Sequence, residues 1–179
     1  YLYESVPNPQ VGSIGGEWLV FGLARSGADI PDEYFENYYQ TAEKYIKDCG
    51  GVLHEKKYTE YSRVILALTA IGKNPADVAG YNLLMPLGDY EKTIWQGING
   101  SIWALIALDS GNYEIPKNTN ANIQATREMY IKNILDNQNS DGGWSLSGEA
   151  SDADVTAMAL QALSKYQNDE SVKAATEKA

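Results

Sequence analysis

Residues 138–166 read QNSDGGWSLSGEASDADVTAMALQALSKY, and they decide the fold. The first part is a polar, glycine-rich turn around Trp144. Ser151 or Asp152 is suited to cap the helix that follows, because a side-chain oxygen there accepts a hydrogen bond from a free backbone N–H one turn on. Apolar residues then recur at the i, i+3, i+4, i+7 spacing of a buried helical face, and the other side is also mostly apolar. Such a helix belongs inside a larger assembly of helices.

The rest of the chain predicts alternating helices of two types. Nearly apolar helices are predicted at residues 17–26, 58–72 and 96–110. Amphipathic helices are predicted at 31–49, 119–137 and 168–179, with a weaker helix at 74–86 and a helix end at 1–6. Since no alternating strand pattern of useful length occurs, the fold class is all-α.

An internal repeat predicts how these helices are arranged. The pattern A-L-x-A-L/I occurs at residues 67–71, 104–108 and 159–163, and a fainter version occurs at 19–23. Each apolar helix with its loop and amphipathic helix spans roughly 35–55 residues, which is typical of helical-hairpin repeats. Because small alanines allow close approach, we expect the apolar helices to form an inner ring and the amphipathic helices its outer wall.

Composition excludes several classes of function. With 179 residues, the chain is long enough for one domain, covering residues 1–179. A net charge of −10 argues against partners that are nucleic acids or anionic membranes. No apolar run approaches the ~18 residues of a transmembrane segment. Because both ends interrupt a helical pattern, we expect this domain to be cut from a longer protein.

The motifs of the chain resemble a known superfamily. Gln138-x-x-x-Gly142-x-Trp144 matches the QW motif, Q-x-x-x-G-x-W, of triterpene cyclases. With the A-L-x-A-L helices, it resembles the prenyltransferase and squalene-oxidase repeats of the terpenoid cyclase-like superfamily. The chain is most similar to uncharacterised bacterial surface proteins that carry such repeats. The segments that carry this likeness include GGEW (15–18), KYTEYSR (57–63), GYNLLMPL (80–87) and QGINGSIWALIALDS (96–110).

The resemblance implies an α/α toroid, a ring that normally contains six helical hairpins around a central cavity. We count about four hairpins, which predicts an incomplete toroid. It also implies an extracellular or cell-surface location in a bacterium. An open arc would expose apolar edges, so a partner chain or a second copy could close it as a homo-oligomer.

One run resembles a catalytic motif. Residues 152–157, DADVTA, are similar to the D-x-D-D-T-A run of class II terpenoid cyclases. The resemblance places the proton donor of such an enzyme at Asp154, with Asp152 beside it. Val155 replaces the aspartate that follows the donor in that run, and the chain lacks room for the second helical domain of these enzymes. The alternative is that both aspartates cap the helix.

Other activities of the superfamily do not match the residues present. A protein prenyltransferase needs Asp, Cys and His as zinc ligands, but the matching helix carries Met158 and no cysteine. A thioester domain needs Cys-Gly-Glu-Gln, whereas Cys49 is followed by Gly50 and Gly51. With a single cysteine and a single histidine, His54, the sequence predicts no metal site and no cofactor.

Ligand or partner binding remains. The resemblance implies that the starts of the inner helices point side chains into one end of a barrel. The candidate ligand-binding residues share this position, and they are Glu17, Trp18, Tyr61, Arg63, Asn99, Trp103, Asp152 and Asp154. Small polar groups beside aromatic rings suit a polar ligand with an apolar face. The alternative is that these residues only cap and pack helices.

The sequence therefore favours a non-catalytic domain that binds an unknown small molecule or protein. Two other hypotheses stay open at this point. One is a cyclase-like enzyme that uses Asp154, and the other is a scaffold or adhesion module whose outer face makes the contacts.

Overall fold

A computed structural model describes residues 1–13 and 15–179. The α-helices in these ranges are α1 (Leu2–Ser5), α2 (Glu17–Arg25), α3 (Asp32–Asp48), α4 (Thr59–Ala70), α5 (Tyr90–Thr93), α6 (Ile98–Ser110), α7 (Arg127–Asp136), α8 (Ala153–Leu163) and α9 (Glu170–Lys178). Short 3₁₀ helices lie at Met85–Gly88, Ile94–Gln96 and Ser164–Tyr166. These ranges contain two isolated β-bridges and no β-strand, so the all-α prediction is confirmed.

The four apolar helices form one layer. α4 packs between α2 and α6, and α6 packs between α4 and α8. α7 packs on α6, and α9 packs on α7 and α8. Leu68 and Leu105, from the repeated pattern, are fully buried between these helices. Amphipathic α3 adds Tyr38, Ala42 and Ile46 to the same core. Closure of this layer into a ring, and the number of hairpins, remain predictions.

The turn before α8 is fixed from three sides. Trp144 is fully buried and donates its indole N–H to the carbonyl oxygen of Ile134 near the end of α7, at 2.8 Å. The Gln138 amide donates to the carbonyl oxygens of Gly142, at 2.5 Å, and Ala175 of α9, at 2.7 Å. The backbone of Gly142 has φ of +101°, which disfavours any residue with a side chain. The turn therefore joins α7, α8 and α9.

The predicted helix at residues 74–86 is wrong. The Asn74 side chain accepts a hydrogen bond from the backbone N–H of Ala76, at 3.0 Å, which forms a local turn. Ala79 and Gly80 both have positive φ, and Val78 and Tyr81 exchange backbone hydrogen bonds around them as in a tight hairpin turn. These reversals prevent a continuous helix, so only Met85–Gly88 forms a 3₁₀ turn.

For the amphipathic helix predicted at residues 119–137, the predicted start at Thr119 is also wrong. The N–H of Tyr90 donates to Ile123 O at 3.0 Å, and the N–H of Ala125 donates to Gly88 O at 2.9 Å. Residues 123–125 therefore pair with residues 88–90 and are not helical. The helix begins at Arg127, where the Thr126 side chain caps it.

Candidate functional site

A groove crosses the ends of all four apolar helices, and we call it the inner groove. Its volume is about 330 Å³, within the roughly 300–1,000 Å³ of small-molecule sites. Apolar side chains from three helices, Phe21, Leu66 and Ile106, line it. The groove lies nearer the carboxyl ends of these helices than their amino ends. Its lining includes Arg25, the last residue of α2, and Lys165, which follows α8.

Two indole rings extend the apolar surface of the inner groove toward the starts of the helices. Trp18 and Trp103 lie with their ring centroids 5.1 Å apart, which is the distance of an aromatic pair. Trp18 also packs edge-on against Phe21 of the groove, at 6.4 Å. Trp18 is 43% exposed, so this aromatic surface can contact a ligand.

Most polar groups of the inner groove already bond within the protein. The Thr69 hydroxyl donates to Ile65 O at 2.7 Å. The Asp109 carboxylate accepts hydrogen bonds from Arg127 at 3.1 Å and from the Tyr166 hydroxyl at 2.8 Å. Burial, together with this bond to Asp109, raises the pKa of Tyr166, so its phenol stays a neutral donor.

Two lining residues keep their hydrogen-bonding capacity available. The exposed side chains of Arg25 and Gln161 make no hydrogen bond or ion pair with any other described residue. One is a cation and the other is an amide, so each can bind an acceptor group of a ligand. The arrangement therefore suits a ligand with an apolar body and one polar or anionic group.

Two of the predicted site residues, Glu17 and Arg63, lie together in an ion-paired cluster beside the core. The Glu17 carboxylate is fully buried and accepts a hydrogen bond from the N–H of Gly12 at 2.8 Å. Arg63 Nε lies 3.0 Å from the Glu17 carboxylate, close enough for an ion pair although not aligned for a hydrogen bond, and Arg63 also pairs with Glu60. Burial, with the Glu17 charge nearby, raises the pKa of Tyr38. This cluster joins α2, α3 and α4.

Tyr61 and Asn99 do not join the aromatic pair. The Tyr61 hydroxyl accepts a hydrogen bond from Leu53 N at 3.1 Å, so its polar tip is held by the loop after α3. Asn99 is half-buried, and its side chain makes no hydrogen bond with the described part of the chain. Neither residue lines the inner groove.

The two aspartates of α8 differ in their surroundings. Asp152 is the helix cap, since its carboxylate accepts a hydrogen bond from Val155 N at 2.9 Å. Asp154 is exposed in the first turn and makes no hydrogen bond to any residue that the structure describes. A cyclase-like donor would need a carboxylic acid at a deep aromatic cavity, and Asp154 does not line the inner groove.

None of the eight predicted ligand-binding residues lines the inner groove itself, and its lining consists of residues that the sequence did not single out. Phe21 and Arg25 lie one and two turns beyond Trp18, and Ile106 lies one turn beyond Trp103. Residues three or seven positions apart share a helix face. Counting three and seven positions on from Trp18, and three from Trp103, would therefore have identified these lining residues in the sequence.

No protein family, no curated protein and no solved structure matches the chain. The relation to terpenoid cyclase-like repeats therefore stays a prediction that rests on the motifs of the sequence.

Two further observations concern metals and membranes. No group of three His, Cys, Asp or Glu side chains within residues 1–13 and 15–179 is placed to hold a metal ion. In the same ranges, every helix is too short or too polar to cross a bilayer.

Proposed function

We propose that this chain is a non-catalytic binding domain that holds a ligand with an apolar face and one polar group in the inner groove. The observation that carries the proposal is the Trp18–Trp103 pair, which continues the apolar lining of a groove about 330 Å³ in volume. Exposed indole surface is unfavourable in water, so a pair of this kind is stabilised when an apolar ligand covers it.

The polar groups support the same ligand class. Arg25 and Gln161 lie on opposite sides of the apolar lining, on α2 and α8, and both are available to an acceptor. The hydroxyls and the carboxylate between them are already bonded within the protein. A ligand therefore gains orientation from the guanidinium or the amide and contact area from the rings.

The proposed architecture is a partial α/α toroid of the terpenoid cyclase-like superfamily. Four apolar helices that pack side by side in chain order, with α7 and α9 packed against them, support it. The sequence likeness to bacterial surface proteins favours an extracellular or cell-surface location. If the arc is open, its edge helices α2 and α8 are the surfaces at which a partner chain or a second copy would pack.

The test uses the dye 8-anilinonaphthalene-1-sulfonate, which has an apolar ring system and one anionic group. We expect the dye to bind the folded protein with enhanced fluorescence. Trp103→Ala and Arg25→Gln should each weaken binding about threefold to tenfold, because an aromatic contact or a charged hydrogen bond is worth roughly 1 kcal/mol.

Trp95→Ala is the matched control for the tryptophan variant. Its indole is 57% exposed and lies under the Lys56 ammonium, apart from the Trp18–Trp103 pair and from the groove lining. Dye affinity that is unchanged in Trp103→Ala and Arg25→Gln, or reduced equally in Trp95→Ala, would reject the inner groove as the binding site. Circular dichroism of each variant checks that the helices are intact.

A further inference from the structure

We propose that a second groove of this chain binds a short neutral oligosaccharide. This outer groove is lined by residues from three segments, at 50–61, 80–92 and 118–120, which are mostly loop, and it shares no residue with the inner groove. Its volume of about 750 Å³ is large enough for a small-molecule ligand. Its lining mixes aromatic rings, amides and one buried carboxylate.

Two tyrosine rings form the apolar part of the outer groove. The backbone of Gly51 has φ of +78°, and a Cβ there would lie 2.4 Å from Cδ1 of Tyr81. The absence of a side chain therefore lets the Tyr81 ring rest directly against the backbone, which fixes it. Tyr58 is fixed by an edge-on contact with Tyr61, with centroids 5.2 Å apart. Tyr58 is buried at 8% exposure, so the half-buried Tyr81 ring is the one whose electron-rich face can attract the C–H groups of a sugar ring.

Amide groups lie beside these rings. The Asn118 amide is held at both ends, because its oxygen accepts from Asn120 N at 3.0 Å and its nitrogen donates to Met85 O at 3.1 Å. The Asn82 oxygen accepts from Leu84 N at 2.9 Å, which holds the amide plane and leaves its NH₂ group as a donor. The Asn120 side chain makes no hydrogen bond with the described residues, so its oxygen and nitrogen are both available.

Two titratable residues contribute one donor and one acceptor. His54 Nδ1 accepts from the N–H groups of Lys56 and Lys57, both at 3.0 Å, so Nε2–H is the ring donor left for a ligand. Asp89 is 4% exposed; one carboxylate oxygen accepts from Lys92 N at 3.1 Å, and the other lies 3.7 Å from Lys92 Nζ. That second oxygen can also accept a hydroxyl.

The charge of the lining argues against an anionic ligand. Lys92 is the cation among the described lining residues, and it lies against Asp89, while Glu55 adds a second carboxylate. Since negative charge is in slight excess, a phosphate or carboxylate ligand is disfavoured. Sugar hydroxyls both donate and accept, so they match a lining that presents amide donors, a histidine donor and carboxylate acceptors side by side.

The experiment titrates the full chain with neutral tetrasaccharides of glucose, mannose, galactose, xylose or N-acetylglucosamine, using isothermal calorimetry at millimolar sugar. At least one should bind. Asn120→Ala should weaken that binding about threefold to tenfold, which corresponds to the loss of one or two neutral hydrogen bonds. Tyr81→Leu should weaken it at least as much. Asn37→Ala removes an exposed amide from α3, away from the groove, and should have no effect.

Several results would overturn the proposal. One is that no neutral tetrasaccharide binds. Another is that the wild type, Asn120→Ala and Tyr81→Leu bind the sugar equally well. The third is that tetragalacturonate binds more tightly than the galactose tetramer. Binding that is lost in Trp103→Ala but kept in Asn120→Ala would place the sugar in the inner groove instead. In a ¹⁵N spectrum of the wild-type protein, the side-chain amide signals of Asn82 and Asn120 should shift when the sugar binds. This measurement reports the site without depending on how well any variant folds.

Discussion

The role of Trp144 predicts how strongly one ring stabilises the whole domain. A buried indole removes roughly 150–250 Å² from water, so at about 25 cal/mol per Å² its burial contributes about 4–6 kcal/mol. Trp144 is fully buried, and Trp144→Ala should therefore lower the free energy of unfolding by about that amount. Because small domains are stable by only about 5–15 kcal/mol, this variant will lose a third or more of a typical domain's stability.

The Trp144→Phe variant separates the contribution of ring burial to stability from that of the indole N–H hydrogen bond. It loses the hydrogen bond to Ile134 O, but that carbonyl also accepts from Asn137 N at 3.2 Å, so it keeps one partner. The hydrogen-bond part should then be about 1 kcal/mol, the net value of one neutral bond. The smaller ring adds about 1 kcal/mol for lost contact, which gives a total near 2 kcal/mol.

Urea unfolding followed by circular dichroism and tryptophan fluorescence measures these values. Trp95→Ala, which removes a half-exposed ring, is the control and should change the unfolding free energy by less than about 0.5 kcal/mol. If Trp144→Phe matched the wild type, or if it cost as much as Trp144→Ala, the division between ring burial and hydrogen bond would be refuted.

Three further predictions concern the residues around this turn and the buried ion pair. Asp152→Ala should destabilise the protein by about 1 kcal/mol in urea, because it removes the cap of α8, whereas Asp154→Ala should be neutral within about 0.5 kcal/mol. Hydrogen bonds from the side chain and backbone of Ser151 lower the pKa of Asp141 below its ordinary 3.8, so this stabilisation is present above that pH and is lost as the pH falls through the lowered pKa. The melting temperature of Asp141→Asn should therefore fall less steeply in acid than that of the wild type, and parallel curves would contradict the assignment. Glu17→Gln should lower the free energy of unfolding by roughly 1–3 kcal/mol. The effect is limited because Arg63 is 22% exposed to screening water and keeps its ion pair with Glu60. A variant as stable as the wild type would show that the Glu17–Arg63 pair adds no net stability.

Local chemistry explains which parts of the fold were predictable. The apolar spacing and the cap at Asp152 act within one or two turns, so α8 is visible in the sequence. Residues 74–86 also contain apolar spacing, but turns formed by asparagine side chains and positive φ at Ala79 and Gly80 override it. The breakers Asn74-Pro75 and Gly80 were present in the sequence and outweigh a weak helical period.

The candidate site was predictable only in part, for a related reason. Trp18 and Trp103 could be placed on one layer from the repeat, and the structure brings their rings together. The contact between Glu17 and Arg63 depends on how two helices pack across 45 intervening positions, and no local pattern encodes it. The outer groove depends on three loops that meet in space, so its asparagines gave no signal of a shared surface.

The Gln138 side chain has a mechanical consequence. One amide group holds both the Gly142 carbonyl of the turn and the Ala175 carbonyl of α9, while Trp144 of the same turn is wedged against α7. A pulling force applied to α9 would load this amide directly and pass into the turn, so the last three helices should resist as one unit. In a force-extension experiment we expect their extension to be released in a single step, and Gln138→Ala should let α9 peel away first.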